Sequence, residues 1–118
     1  MAIHNIFPEP PITIWIDKQK PGQLKEELPQ YAEGNWKHIH GLHFQYGNLA
    51  TLYIPYTENS WRDLFIQFGN STTVRPVGKE FLSADEINTV VDSFLNDVLL
   101  PYRQDHPELK VMKEGKEL

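Results

Sequence analysis

The segment at 36–54 constrains the fold most strongly, because its pattern predicts a β-hairpin. Tyr-Gly-Asn-Leu at 46–49 is typical of a tight turn with two central residues. Glycine at the first corner accepts the positive φ that such a turn requires. The residues on either side are rich in aromatic and β-branched types, as expected of paired strands.

With a two-residue turn, both faces of this hairpin carry apolar side chains. Phe44 then lies opposite Thr51 on one face. On the other face, His43 lies opposite Leu52. A sheet that is open to water on one side alternates apolar and polar residues instead. The pattern therefore predicts that a helix of the same chain, or a partner, covers the second face.

A long amphipathic helix is indicated near the C-terminus. Ser83-Ala84-Asp85-Glu86 is a capping box, in which the serine and the glutamate each bond a backbone N–H at the helix start. Apolar residues then recur at helical spacing through Ile87, Val90, Val91, Phe94, Leu95, Val98 and Leu99. Pro101 is expected to end or kink this helix.

The remaining elements complete an α+β domain that spans 1–118. We expect strands at 12–17, 61–68 and 72–77, the last at a sheet edge because it contains Pro76. A short N-terminal helix is predicted at 21–31. These elements predict one antiparallel sheet of about four to five strands, with the long helix packed on one face. An extended segment at 1–11 precedes the domain, and the charged residues at 105–118 predict a flexible tail.

Composition excludes several classes of function. The 118 residues include no cysteine, so thiolate catalysis, disulfides and zinc–thiolate sites are ruled out. The formal net charge is −5 and no block of basic residues occurs, which argues against a general nucleic-acid binder and an anionic membrane surface. No signal peptide or apolar run of membrane-spanning length is visible. We therefore expect a cytoplasmic protein.

Three histidines form the one group of residues with metal-binding potential. His38 and His40 are two residues apart, so a regular strand places both rings on one face. Imidazole is a common zinc ligand, and His43 joins the pair if a β-bulge at Gly41 reverses its direction. The alternative is stronger: half-buried histidines with hydrogen-bond partners, or contacts to a ligand beside the aromatic residues of this face.

Aromatic residues and one arginine give a second candidate surface. Tyr53, Tyr56 and Trp61 could line a groove, with Arg62 beside the tryptophan ring as a recognition group for anions. The alternative for the aromatics is packing in a core or an interface. The alternative for Arg62 is a surface ion pair with Asp63, a contact that contributes under about 1 kcal/mol.

These patterns favour a non-enzymatic interaction protein that holds a protein partner, or itself as a homodimer, on an aromatic sheet face or on the hairpin surface. The candidate binding residues are His38, His40, Tyr53, Tyr56, Trp61 and Arg62. One alternative is a small metal-dependent or acid–base enzyme centred on His38 and His40. Another is a small-molecule binding protein with an aromatic pocket between sheet and helix. No cofactor is implied.

Overall fold

The computed structural model describes residues 12–17, 23–54, 63–69 and 73–118, in which two antiparallel four-stranded sheets pack against one long helix. The strands are β1 (Ile12–Asp17), β2 (Trp36–His40), β3 (His43–Tyr46), β4 (Ala50–Tyr53), β5 (Asp63–Phe68), β6 (Val74–Pro76), β7 (Lys110–Lys113) and β8 (Lys116–Glu117). The helices are α1 (Gln23–Glu27), a 3-10 turn (Leu28–Tyr31), α2 (Ala84–Phe94), a π-helical turn (Leu95–Leu99) and α3 (Leu100–Asp105). The α+β class, the long C-terminal helix and the short N-terminal helix are confirmed. No described helix is long and apolar enough to cross a membrane.

The strands divide between two sheets, where the sequence pattern predicts one. Sheet A has the order β5-β1-β7-β8, and sheet B has the order β2-β3-β4-β6. The predicted strand at 12–17 is β1, which lies in the interior of sheet A between β5 and β7. The predicted edge strand with Pro76 is β6, which lies at the edge of sheet B.

The long helix begins and continues for identifiable reasons. Its capping box is confirmed: the backbone N–H of Glu86 donates to the Ser83 hydroxyl at 3.1 Å, and the Glu86 carboxylate accepts from the Ser83 backbone N–H at 2.8 Å. Pro101 does not end the helix, which continues through α3 to Asp105. A π-helical turn lies just before the proline, and there the N–H of Leu100 bonds the carbonyl of Leu95. This wider turn accommodates a residue that lacks the usual N–H donor.

Phe94 on α2 joins the two sheets in one core. Its ring centroid lies 5.6 Å from that of Trp36 and 6.5 Å from that of Phe44, both in sheet B. The centroid of Phe68, at the end of β5 in sheet A, lies 5.8 Å away. All four side chains are buried, so the interface between helix and sheets is filled by aromatic rings.

The hairpin at 36–54 is a three-strand meander with a different register from the one predicted. Three residues, 47–49, separate β3 from β4, so Phe44 pairs with Leu52 and His43 pairs with Tyr53. Phe44 and Leu52 are fully buried, whereas Tyr53 is 49% exposed. The prediction of two apolar faces is therefore wrong, because a one-residue shift moves every side chain to the other face.

The charged tail predicted at 105–118 instead contains two strands. β7 pairs with the interior strand β1, with Val111 opposite Ile16, and β8 pairs with β7. Leu109 and Val111 are buried in the common core. The sequence pattern missed this hairpin because Val111 is flanked by charged and flexible residues and gives only one clear inward position.

Removal of residues 109–118 is expected to unfold the domain, because it exposes one edge of β1 and removes two buried side chains.

A milder change, Val111→Ala, should lower the free energy of unfolding by about 2 kcal/mol. Urea denaturation followed by circular dichroism measures both effects. The control Lys116→Ala alters an exposed side chain and should stay within about 0.5 kcal/mol of the wild type. A truncated chain as stable as the wild type would contradict this role for the C-terminal hairpin.

Candidate functional site

The outward side of sheet A carries an apolar row that crosses three strands. Phe65 of β5 pairs with Trp15 of β1, and Trp15 pairs with Met112 of β7. The Trp15 and Phe65 ring centroids are 6.5 Å apart. Phe65 is 62% exposed and the other two side chains are half-buried. We call these three residues the apolar row.

Polar and charged residues surround the apolar row. Thr13 and Gln67 pair with each other on one side of it. On the other side Asp17 lies opposite Asp63 in β5 and opposite Lys110 in β7, so this border carries two acidic residues and one basic residue. An apolar centre with a polar rim is the usual composition of a protein–protein interface.

The outward side of sheet B has a different chemistry. Lys37 lies opposite Gln45, Gln45 opposite Thr51, and Thr51 opposite Arg75, so one cross-strand line has a cation at each end. A second line contains His40, His43 and Tyr53. We call this surface the cationic face, and its members are Lys37, His40, His43, Gln45, Thr51, Tyr53 and Arg75.

The two histidines of the predicted metal pair lie on opposite sides of sheet B. The register of β2 and β3 shifts between His38 and His40, which pair with Phe44 and His43 respectively. The extra residue of this bulge is Ile39, and it reverses the alternation that a regular strand would keep. The His38 ring bonds the carbonyl of Gly41 at 2.8 Å. Both His38 and His40 are exposed rather than half-buried.

The bulge brings together a different pair, His40 and His43, beside Tyr53. The His43 and Tyr53 rings meet edge to face with centroids 6.0 Å apart. Among the described residues, no group of three or more His, Asp or Glu side chains is arranged to hold a metal ion. Tyr56, Trp61 and Arg62 lie outside the described residues, so the predicted aromatic groove stays a prediction.

A cluster around His106 was not predicted from the sequence. One ring nitrogen of His106 lies 3.3 Å from the Glu27 carboxylate, and the other lies 3.7 Å from the Glu108 carboxylate. The ring also stacks on Tyr102 with centroids 4.3 Å apart. A carboxylate therefore lies near each ring nitrogen of His106, as in an ion-pair cluster. The cluster joins α1 to the end of α3.

Two tyrosines of this region have hydroxyl groups that are harder to ionise than usual. Burial, followed by the nearby Glu27 carboxylate, raises the pKa of Tyr102. The Tyr31 hydroxyl donates a hydrogen bond to Asp105, and this bond is the main reason that the pKa of Tyr31 is raised. The hydrogen bond between Tyr31 and Asp105 joins the 3-10 turn to α3, which supports a structural role for the cluster.

Comparisons with protein-family models, curated proteins and solved structures found no significant match to this chain. The roles of the two outward faces therefore rest on their geometry and chemistry.

The separation of His38 from His40 predicts that this pair does not bind zinc. The variant His38→Ala, which leaves His40 and His43 in place, should keep the wild-type free energy of unfolding within about 1 kcal/mol, since the His38 side chain is exposed. Zinc titrations of the two proteins, followed by calorimetry, should superimpose. One zinc ion bound per wild-type chain and lost from the variant would contradict the observed arrangement.

Proposed function

We propose that this chain is a non-enzymatic protein-interaction module that binds a second copy of itself through the outer face of sheet A. The observation that carries the proposal is the apolar row, in which Phe65, Trp15 and Met112 adjoin one another on the outward side of the sheet. The lack of cysteine in the sequence supports a cytoplasmic location for this module.

The apolar row is favourable to bury. Full burial of a phenylalanine or methionine side chain contributes about 1.5–3 kcal/mol, and most of the Phe65 surface is still exposed to water. Scattered exposed apolar residues are normal, but adjoining ones on a regular sheet form a surface that a partner can cover. The contact between the Trp15 and Phe65 rings also limits their motion before binding, which lowers the entropic cost of association.

A second copy is the partner that best fits this surface. In a two-fold symmetric dimer the same patch meets itself, so it must be self-complementary. An apolar row satisfies this condition, and the border with Asp17 and Lys110 carries both signs of charge. The cationic face would fail it, because Lys37 and Arg75 would meet the same charges in the other copy.

The predicted enzyme and carrier alternatives have less support among the described residues. His38 and His40 do not converge, and both nitrogens of His106 face carboxylates. The space between sheet B and the helix is occupied by the rings of Trp36, Phe44 and Phe94.

Phe65→Ser should convert the proposed dimer into a monomer, because it removes the most exposed ring of the apolar row. Phe81→Ser is a matched control: Phe81 is 67% exposed but lies in the loop before α2, and its loss should leave the dimer intact. Sedimentation velocity over a range of about 1–100 μM protein measures both variants and the wild type, at concentrations that span micromolar dissociation constants.

A wild-type protein that remains monomeric at the highest concentration would overturn the proposed dimer. Equal effects of the two serine variants would show that association does not use the apolar row. Circular dichroism melts of both variants establish that each remains folded, so a loss of dimer by Phe65→Ser cannot be attributed to unfolding.

A further inference from the structure

We propose that the cationic face of sheet B binds single-stranded nucleic acid. This inference goes beyond the proposed self-association, which uses the outward side of the other sheet. It rests on the segregation of charge in the fold and on the aromatic rings beside the cations.

Charge is distributed unevenly over this chain. The outward positions of β2, β3, β4 and β6 include Lys37 and Arg75, and no Asp or Glu occupies an outward position in these four strands. The chain has 11 basic and 16 acidic residues, so the remainder carries a formal charge of −7. The whole chain is therefore acidic, with a net charge of −5 and no basic block along the sequence, whereas the outward positions of sheet B are basic. A polyanion would be repelled by most of the molecule and attracted here.

Hydrogen-bonding groups lie between the two cations. Lys37 and Arg75 are at opposite ends of a line of four strands, about 14 Å apart at the usual strand spacing. Gln45 and Thr51 lie between them. The Gln45 amide nitrogen donates to the Gly47 carbonyl at 2.9 Å, so its amide oxygen and the Thr51 hydroxyl are the groups offered to a ligand. Lysine and arginine bind phosphate oxygens, whereas an amide and a hydroxyl can bond to the edges of bases.

Aromatic rings next to this line favour nucleic acid over other anions. Tyr53 is 49% exposed, and its edge-to-face contact with His43 orients the ring, while His40 lies opposite His43. Unpaired bases stack on aromatic side chains of open sheets, and such stacking tolerates any sequence. An acidic peptide would neutralise the cations but would offer no planar groups to these rings.

A second copy of this chain is a poor occupant of the cationic face. Two such faces would repel each other in a symmetric contact. A contact between this face and the acidic remainder of another copy would be head to tail, and such contacts build rings or open filaments rather than closed dimers.

Fluorescence anisotropy with a fluorescein-labelled thymidine dodecamer tests the proposal on the full chain. We expect binding that weakens with salt, with a slope of log K against log salt of about −1.4 for two neutralised phosphates on a single strand. The double variant Lys37→Gln, Arg75→Gln should weaken binding at least ~10-fold and bring the slope close to zero. Tyr53→Leu should weaken binding ~5-fold or more while the slope stays the same.

The matched control is Lys25→Gln, Lys116→Gln, which removes the same charge from exposed positions outside sheet B. It should change the dissociation constant by less than about 2-fold, since these lysines lie outside the proposed site. Circular dichroism confirms that every variant is folded.

Three results would overturn the proposal. One is no binding of the dodecamer at about 100 μM protein and low salt, a concentration at the weak end of typical non-specific dissociation constants. Another is an equal loss of binding in the two double variants, which would indicate a general effect of charge. The third is binding of a poly-glutamate peptide that depends on Lys37 and Arg75 while the dodecamer does not bind, which would identify an acidic protein segment as the ligand.

Discussion

The contact of Phe94 with both sheets is the interaction on which the rest of the structure depends. Sheets A and B have no strand in common, so the helix that contacts both joins them in one core. Phe94 does this with ring contacts to Trp36 and Phe44 on one side and to Phe68 on the other. Because each sheet turns one face to this helix, each also turns one face outward. The two outward faces differ in chemistry, and their difference is the basis of the proposed functions.

Features that depend on local sequence could be predicted. β1 spans the residues that alternation indicates, and the capping box at Ser83 forms because Glu86 is three residues further along the helix. The α+β class follows from these elements. The C-terminal hairpin could not be predicted in this way, because Val111 becomes an interior strand residue only when β1 is available as its partner.

The positions of the candidate site residues depend on the register of strand pairing in sheet B. Local sequence patterns predict this register less well than they predict the strands themselves. A two-residue turn predicts His43 opposite Leu52, whereas the three-residue turn of the structure pairs Phe44 with Leu52 and His43 with Tyr53. The bulge at Ile39 places His38 and His40 on opposite sides of the sheet. No local sequence pattern marks this bulge, so it could not be predicted. Trp15 carries a further signal, because it lies between two inward isoleucines of β1 and its position therefore faces outward. Strand pairing then places Phe65 and Met112 on either side of it, which the alternation within β1 alone does not indicate.

We expect sheets A and B to unfold as one cooperative unit, because one helix packs against both. Hydrogen exchange of the backbone amides tests this expectation for β1 in sheet A and β4 in sheet B. It is measured at several denaturant concentrations, all below the unfolding transition. We expect the same free energy of opening for both strands. We also expect Phe94→Ala to lower both values equally, by about 3–5 kcal/mol. If β1 opens at a different free energy from β4, or if Phe94→Ala affects one strand alone, the two sheets unfold independently and do not form one cooperative unit.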